Sequence, residues 1–159
     1  MGVIVRDFTP ADRSAAAEAL EASGAFRKDE VRVALDVLDD ALAGGADGGY
    51  AVLAAESGGQ FCGYVCAGST PLTASTWHVY WICVQPAAQG TGAGRALEAR
   101  LEALVRSRGG ERLVVETSGR PDYSRARRFY EMAGYKEVGR IPDFYGAGDD
   151  CVLYCKCLP

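Results

Sequence analysis

The chain has a single histidine, His78, and its six cysteines include no C-x-x-C pair, so the usual nitrogen and sulfur ligand sets of a zinc site are missing and no metal is expected. It also lacks an excess of positive charge. Its 17 Lys and Arg face 21 Asp and Glu, for a net charge of −4, which argues against nonspecific nucleic-acid binding because little is available to neutralise phosphates. The balance favours a neutral or cationic small molecule over a polyanion. No apolar run approaches a membrane span. Only three apolar residues in a row precede Arg6, so no secretory leader is expected and the cytoplasm is the expected compartment. There the cysteines are read as small hydrophobes rather than disulfide partners. Cys62 and Cys66 are four apart, as are Cys151 and Cys155, with Cys157 two further on; within strands each set would share one face.

The 159 residues suit one domain over 1–159, large enough to bury roughly 70% of its unfolded surface. VIVRDF (3–8) reads as a strand, and Thr9, Pro10 and Asp12 as a helix start. That helix runs to about Ser23. A second, from Lys28 to Ala43, carries Val31, Leu35, Leu38 and Leu42 on one stripe before GGADGG (44–49) breaks it. YAVLAAE and FCGYVCAG flank Ser57-Gly58-Gly59 as a hairpin. WHVYWICV (77–84) is apolar almost throughout and is expected to be buried on both faces. A long helix follows Gly94, with Leu97, Leu101, Leu104 and Val105 inward and Gly109-Gly110 as its stop. RLVVETS (112–118) is a strand, Arg125 to Met132 a short helix ended by Gly134, and YKEVGR and CVLYCKC are two strands around an expected loop, IPDFYGAGDD. The order β-α-α-β-β-β-α-β-α-β-β implies a three-layer α/β fold, a mixed sheet with helices on both sides.

The glycines before the long helix, in VQPAAQGTGAGR, pose the functional question. A helix start presents unpaired N–H groups and a partial positive charge, which together hold anions. Glycine suits a place where backbone and ligand must touch. The order strand, Gly-rich loop, helix is therefore that of a diphosphate site. The dinucleotide pattern G-x-G-x-x-G fails, because Arg95 stands at its third glycine, and no G-x-x-x-x-G-K-[ST] string occurs.

What does occur is Gln89-x-x-Gly92-x-Gly94, the (Q/R)-x-x-G-x-(G/A) signature, followed by ARRFYEMAGY near the tail. On these motifs the sequence resembles the GNAT superfamily of acetyl-coenzyme A-dependent N-acetyltransferases, whose element order fits Val3 to Leu158. The resemblance implies a mostly antiparallel mixed sheet, splayed between its fourth and fifth strands to admit the thioester of acetyl-CoA. It implies that the backbone of Ile82, Cys83 and Val84 pairs with the pantetheine arm. Gln89, Gly90, Thr91, Gly92, Ala93, Gly94 and Arg95 would form the diphosphate loop. Tyr130 matches the tyrosine beside the coenzyme sulfur, and a phenol, with a reference pKa of about 10, is a suitable proton donor. Glu116, closing VVETS, matches a position where several relatives carry a general base. Relatives often have an asparagine seven residues before the tyrosine; here that position is Tyr123, which would contact the coenzyme or face the acceptor. Asp143, Asp149 and Asp150 would draw in a cationic amine. Arg125, Arg127 and Arg128 are read as a solvated helix face. The expected activity is transfer of acetyl to a primary amine of a small molecule or a peptide N-terminus, by direct attack in a ternary complex. A homodimer is compatible with the resemblance, and an acyl-CoA-binding sensor without turnover is the alternative.

Overall fold

The computed structural model describes residues 2–44 and 48–159. Seven strands form one sheet in the order β1-β2-β3-β4-β5-β7-β6: β1 (Val3–Asp7), β2 (Tyr50–Ser57), β3 (Gln60–Ser69), β4 (Thr76–Val84), β5 (Arg112–Ser118), β6 (Lys136–Gly146) and β7 (Asp149–Cys157). All neighbours are antiparallel except β4 and β5. The crossover between that parallel pair is α3 (Ala93–Ser107), as a parallel connection requires. The helices α1 (Arg13–Ala22) and α2 (Lys28–Gly44) precede β2, and α4 (Ser124–Met132) precedes β6. The break expected at 44–49 has residues 45–47 outside the described residues.

Two cores lie on the two faces of the sheet. Leu97, Leu101 and Val105 of α3 pack with Leu53, Val65, Leu113 and Tyr154 on one face; Leu20 and Leu38 of α1 and α2 pack with Phe8, Tyr64 and Cys66 on the other. The period of 3.6 explains the helical members directly, since Leu97, Leu101 and Val105 are fully buried on one stripe of α3.

Two bulges decide which strand residues meet which core. Between β2 and β3, Ala55 pairs with Gly63 but Glu56 with Phe61, so Cys62 is an extra residue. Cys62 therefore joins the α3-side core and Cys66 the other, correcting the expectation that the two share a face. Between β3 and β4, Cys66 pairs with Trp81 but Ala67 with Val79, leaving Tyr80 extra. Val79 faces the α3 side, Tyr80 and Trp81 the α1/α2 side, and Ile82 and Val84 the α3 side again. Nor is β4 buried on both faces: Trp77, Val79 and Cys83 are buried and the rest half-buried, because the strand forms one wall of a cleft. The expected loop IPDFYGAGDD is instead mostly hairpin, β6 reaching Gly146 and β7 starting at Asp149. Its polar composition serves the turn. The Asp143 carboxylate accepts from the Gly148 N–H at 2.8 Å, and the Asp150 carboxylate from the Asp143 N–H at 3.0 Å.

At the N-terminal edge, Thr9 and Pro10 open a 3₁₀ turn (Pro10–Asp12) that runs into α1. The Asp12 carboxylate accepts two bonds from Arg6, at 2.8 and 2.9 Å, and one from the Thr9 N–H at 2.8 Å. The Arg6 bonds, followed by those from Thr9, hold the Asp12 carboxyl down at about 2. Since this group is more acidic folded than the unfolded reference of about 3.9, its contribution is complete above about pH 4 and lost as pH falls towards 2. Arg6 is partly exposed and screened, so we expect Asp12→Asn to cost about 1–2 kcal/mol at pH 7. Urea unfolding of both proteins should show that gap closing between about pH 4 and pH 2.

Candidate functional site

The parallel pairing of β4 with β5 stops early. Thr76, Trp77 and His78 face Arg112, Leu113 and Val114, and beyond them the strands part, although β4 continues to Val84 and β5 to Ser118. The Tyr80 bulge lies at the point of separation, where a local kink re-aims a strand. On its other side β4 is held tightly by β3: a Cβ on Gly63 would fall 2.4 Å from the Cys83 carbonyl oxygen. The opening is a cleft of about 1580 Å³ running from α3 and α4 to the α1–α2 connection. Ile82, Cys83 and Val84 line it, with a strand edge left unpaired by β5. Burial pushes the Cys83 thiol up to about 12, so that side chain is a neutral filler of the other core and only its backbone is available here.

At one end of the cleft stands the mouth of α3. Pro86–Ala88 forms a 3₁₀ turn, Gln89 bonds back to the Val84 carbonyl at 3.5 Å, and the Thr91 hydroxyl donates to the Ala88 carbonyl at 2.6 Å. The first bond into the helix is from the Ala96 N–H to the Gly92 carbonyl, 2.9 Å, and no side chain caps it among the described residues. The N–H groups of Ala93, Gly94 and Arg95 thus have no partner within the helix. The three glycines have separate reasons. Gly90 and Gly92 have φ of 81° and 91°, which L side chains rarely adopt, and their Cβ positions face open space. At Gly94 a Cβ would lie 3.1 Å from the Phe129 ring of α4, close enough that the ring would have to shift.

Four aromatic rings meet where α4 crosses the cleft: Tyr130 packs against Phe129 and Tyr135 at 5.6 Å and Tyr154 at 6.0 Å. The Tyr135 hydroxyl donates to Glu98 at 2.7 Å and that of Tyr154 to Glu131 at 3.0 Å. Tyr130 is 8% exposed, and among the described residues its hydroxyl has no partner. Burial, then the nearby Glu98 carboxylate, pushes its phenol above the ordinary value. It is protonated at any physiological pH and positioned to donate. Glu98, unremarked in the sequence because it is one of several helix glutamates, is 3% exposed with one carboxylate oxygen unpartnered, and burial raises its pKa.

The other end is lined by His78, Tyr80, Glu116, Ser118, Tyr145 and Asp149. Glu116 is accessible, its carboxylate 4.0 Å from the imidazole of His78. Of the three aspartates expected to draw in an amine, Asp143 and Asp150 serve the hairpin, while Asp149 lines the cleft and accepts from the Ser118 hydroxyl. Arg127 closes the loop after β5, donating to the carbonyls of Ser118 and Arg120 at 2.7 and 2.8 Å. Tyr123 lines the cleft, but its hydroxyl is engaged elsewhere. It donates to the Ala25 carbonyl at 3.1 Å and approaches both Glu30 oxygens at 3.3 and 3.4 Å, and burial, then Glu30, pushes it up to about 12. It ties the start of α4 to the α1–α2 connection. No cluster of three or more His, Cys, Asp or Glu residues suited to a metal occurs among the described residues, and no helix among them is long and apolar enough to cross a membrane.

The parallel pair thus parts beside an uncapped helix mouth, with a buried tyrosine in the opening. The sequence pattern of the acetyltransferase (GNAT) family matches residues 14–135, and the chain belongs to that family. A GNAT-family protein of Desulfovibrio desulfuricans superposes with a TM-score of 0.93 at 38% identity, covering 99% of this chain and 100% of that one. The crystal structure of an aminoglycoside 6'-N-acetyltransferase complexed with coenzyme A has the same fold, with a TM-score of 0.75 at 18% identity over 98% of this chain and 97% of the other. Among curated proteins, the mycothiol acetyltransferase of Beutenbergia cavernae is 40% identical over 65 residues, a stretch covering 41% of this chain and 21% of that protein.

The Tyr123 tether generates its own prediction. Tyr123→Phe removes the hydroxyl that reaches Ala25 and Glu30, while Arg27 and Lys28 offer trypsin two adjacent exposed sites. Cleavage at Arg27–Lys28 under limited proteolysis should speed up by about threefold or more, with global stability lowered by no more than about 1 kcal/mol, the worth of an ordinary hydrogen bond.

Proposed function

We propose that the protein transfers an acetyl group from acetyl-CoA to the primary amine of a small molecule or a peptide N-terminus, by direct attack while both substrates are bound. Acetyl-CoA supplies the activated acetyl group as a thioester. The observation that carries this reading is the unpartnered Tyr130 hydroxyl inside the β4–β5 opening, next to the uncapped mouth of α3.

Each feature has a matching task. The N–H groups of Ala93, Gly94 and Arg95, with the partial positive charge of a helix start, suit a diphosphate. The left-handed Gly90 and Gly92 keep Cβ atoms out of its way. Gln89 and Thr91 fix that loop from behind through Val84 and Ala88. The free edge over Ile82, Cys83 and Val84 suits an extended amide-bearing arm, which pairs with it as an added strand does. Tyr130 holds the proton that a leaving sulfur requires. Glu116 stands at the acceptor end, where a carboxylate attracts an ammonium group and assists its deprotonation. The net charge of −4 is consistent with a cationic acceptor.

Tyr130→Phe keeps the ring in its aromatic cluster and removes only the unpartnered hydroxyl. Calorimetric affinity for acetyl-CoA and the unfolding midpoint should stay near wild type, while kcat falls by about 10²-fold or more. Free-thiol release over a panel of amino acids, polyamines, aminoglycosides and peptide N-termini measures this, and an unchanged kcat would make Tyr130 a packing residue.

A further inference from the structure

His78 lies at the fork itself. It is the last β4 residue paired with β5, opposite Val114, and Glu116 is two residues further along β5, on the same face of the sheet. Nε2 of the imidazole and Oε1 of Glu116 are 4.0 Å apart. The ring is stacked on Tyr80, with 5.4 Å between centroids and 9° between planes. Tyr80 leans in turn on Tyr50 at 6.1 Å. The imidazole is thus held in one orientation, partly exposed to the cleft and directed at a carboxylate.

We propose that His78 accepts the proton of the incoming ammonium group and that Glu116 positions it. This rests on the acetyl-transfer reading above. An ordinary imidazole is the side chain that changes charge between about pH 5 and pH 8. An ordinary carboxylate binds a proton about two units less tightly, so a glutamate alone is a weak base for an ammonium at neutral pH. The other carboxylates around this end have partners of their own, Asp29 with Arg27 and Asp122 with Arg120 among them. Tyr145 of β6 donates to the Cys151 sulfur of β7 at 3.7 Å, and burial pushes both up. Asp149 accepts from Ser118, and Glu30 of α2 is engaged by Tyr123. Burial pushes Tyr80 up, Tyr50 lies behind it, and Arg32 of α2, a permanent cation, has no site for a proton.

The ammonium proton moves to a ring nitrogen and the N–H electron pair stays on the substrate nitrogen. The result is a neutral amine and an imidazolium whose charge Glu116 balances. The amine lone pair then forms the bond to the acyl carbon, its second proton passes to solvent, and the carbon–sulfur bond breaks as sulfur takes the Tyr130 proton. Tyr130 recovers a proton from solvent and His78 returns its own there, so each turnover releases one.

Because His78 is the chain's only histidine, its titration is a single imidazole signal by NMR. The acid limb of kcat/KM for the acceptor should coincide with that titration, in the wild type and in Glu116→Gln alike. His78→Asn should lose the limb and drop kcat/KM for the acceptor by about 10²-fold, with acetyl-CoA Kd by calorimetry within about twofold of wild type. A limb that does not follow the imidazole, or wild-type rates in His78→Asn, overturns the pair and leaves acetyl transfer standing. A wild-type protein that binds acetyl-CoA and acetylates no amine of the panel overturns both.

Discussion

After three backbone pairings β4 and β5 part, and every feature of the cleft follows from that separation. Two strands that stayed paired to their ends would satisfy each other's N–H and C=O groups and leave no edge for a ligand. The separation is not loss of order, because β4 remains fixed by β3 and β5 by β7 through most of their lengths. Each wall is half of an intact sheet. The cleft therefore has rigid sides, and the groups that face it are held by packing made elsewhere, which is the condition for preorganised chemistry.

The same separation sorts the site into two ends. Towards α3 and α4 lie the helix mouth and Tyr130, on the face that carries the larger core. Towards α1 and α2 lie His78, Glu116 and Asp149, where β5 and β7 expose polar residues to the cleft. Tyr123 joins the two sides by reaching Glu30, 93 residues away in sequence. This second end is bounded by the α1–α2 connection and by the β6–β7 hairpin, elements in which relatives of one fold can differ without disturbing the cleft.

Much of this was legible in the sequence because it is local. The element order, the inward stripe of α3 and the turn at Ser57-Gly58-Gly59 rest on periodicity and turn chemistry within a few residues. The glycine loop was legible too, although the closeness of Gly94 to Phe129 of another helix was not. What escaped was register. The meeting of His78 with Glu116 depends on which residues pair across β4 and β5, and Tyr123 with Glu30 on how α2 lies over the sheet. No local pattern carries either. The bulges at Cys62 and Tyr80 were hidden for a different reason: both neighbours of each are compatible with burial, so no polar residue betrays the change of face. In the β6–β7 hairpin, aspartates and glycines that serve the turn masked the strands.

The bulge at Tyr80 makes the geometry of the cleft a matter of parity. With Tyr80 and Trp81 kinked onto one side, Ile82 and Val84, rather than Trp81 and Cys83, fall on the side of α3. A regular strand through the same residues would turn over beyond Tyr80, presenting an indole and a thiol where two aliphatic side chains now sit, with the hydrophobicity of the segment unchanged. For this fold the place of the kink in β4 is thus as strict a requirement as the strand's composition, because it decides which wall of the cleft each later side chain meets.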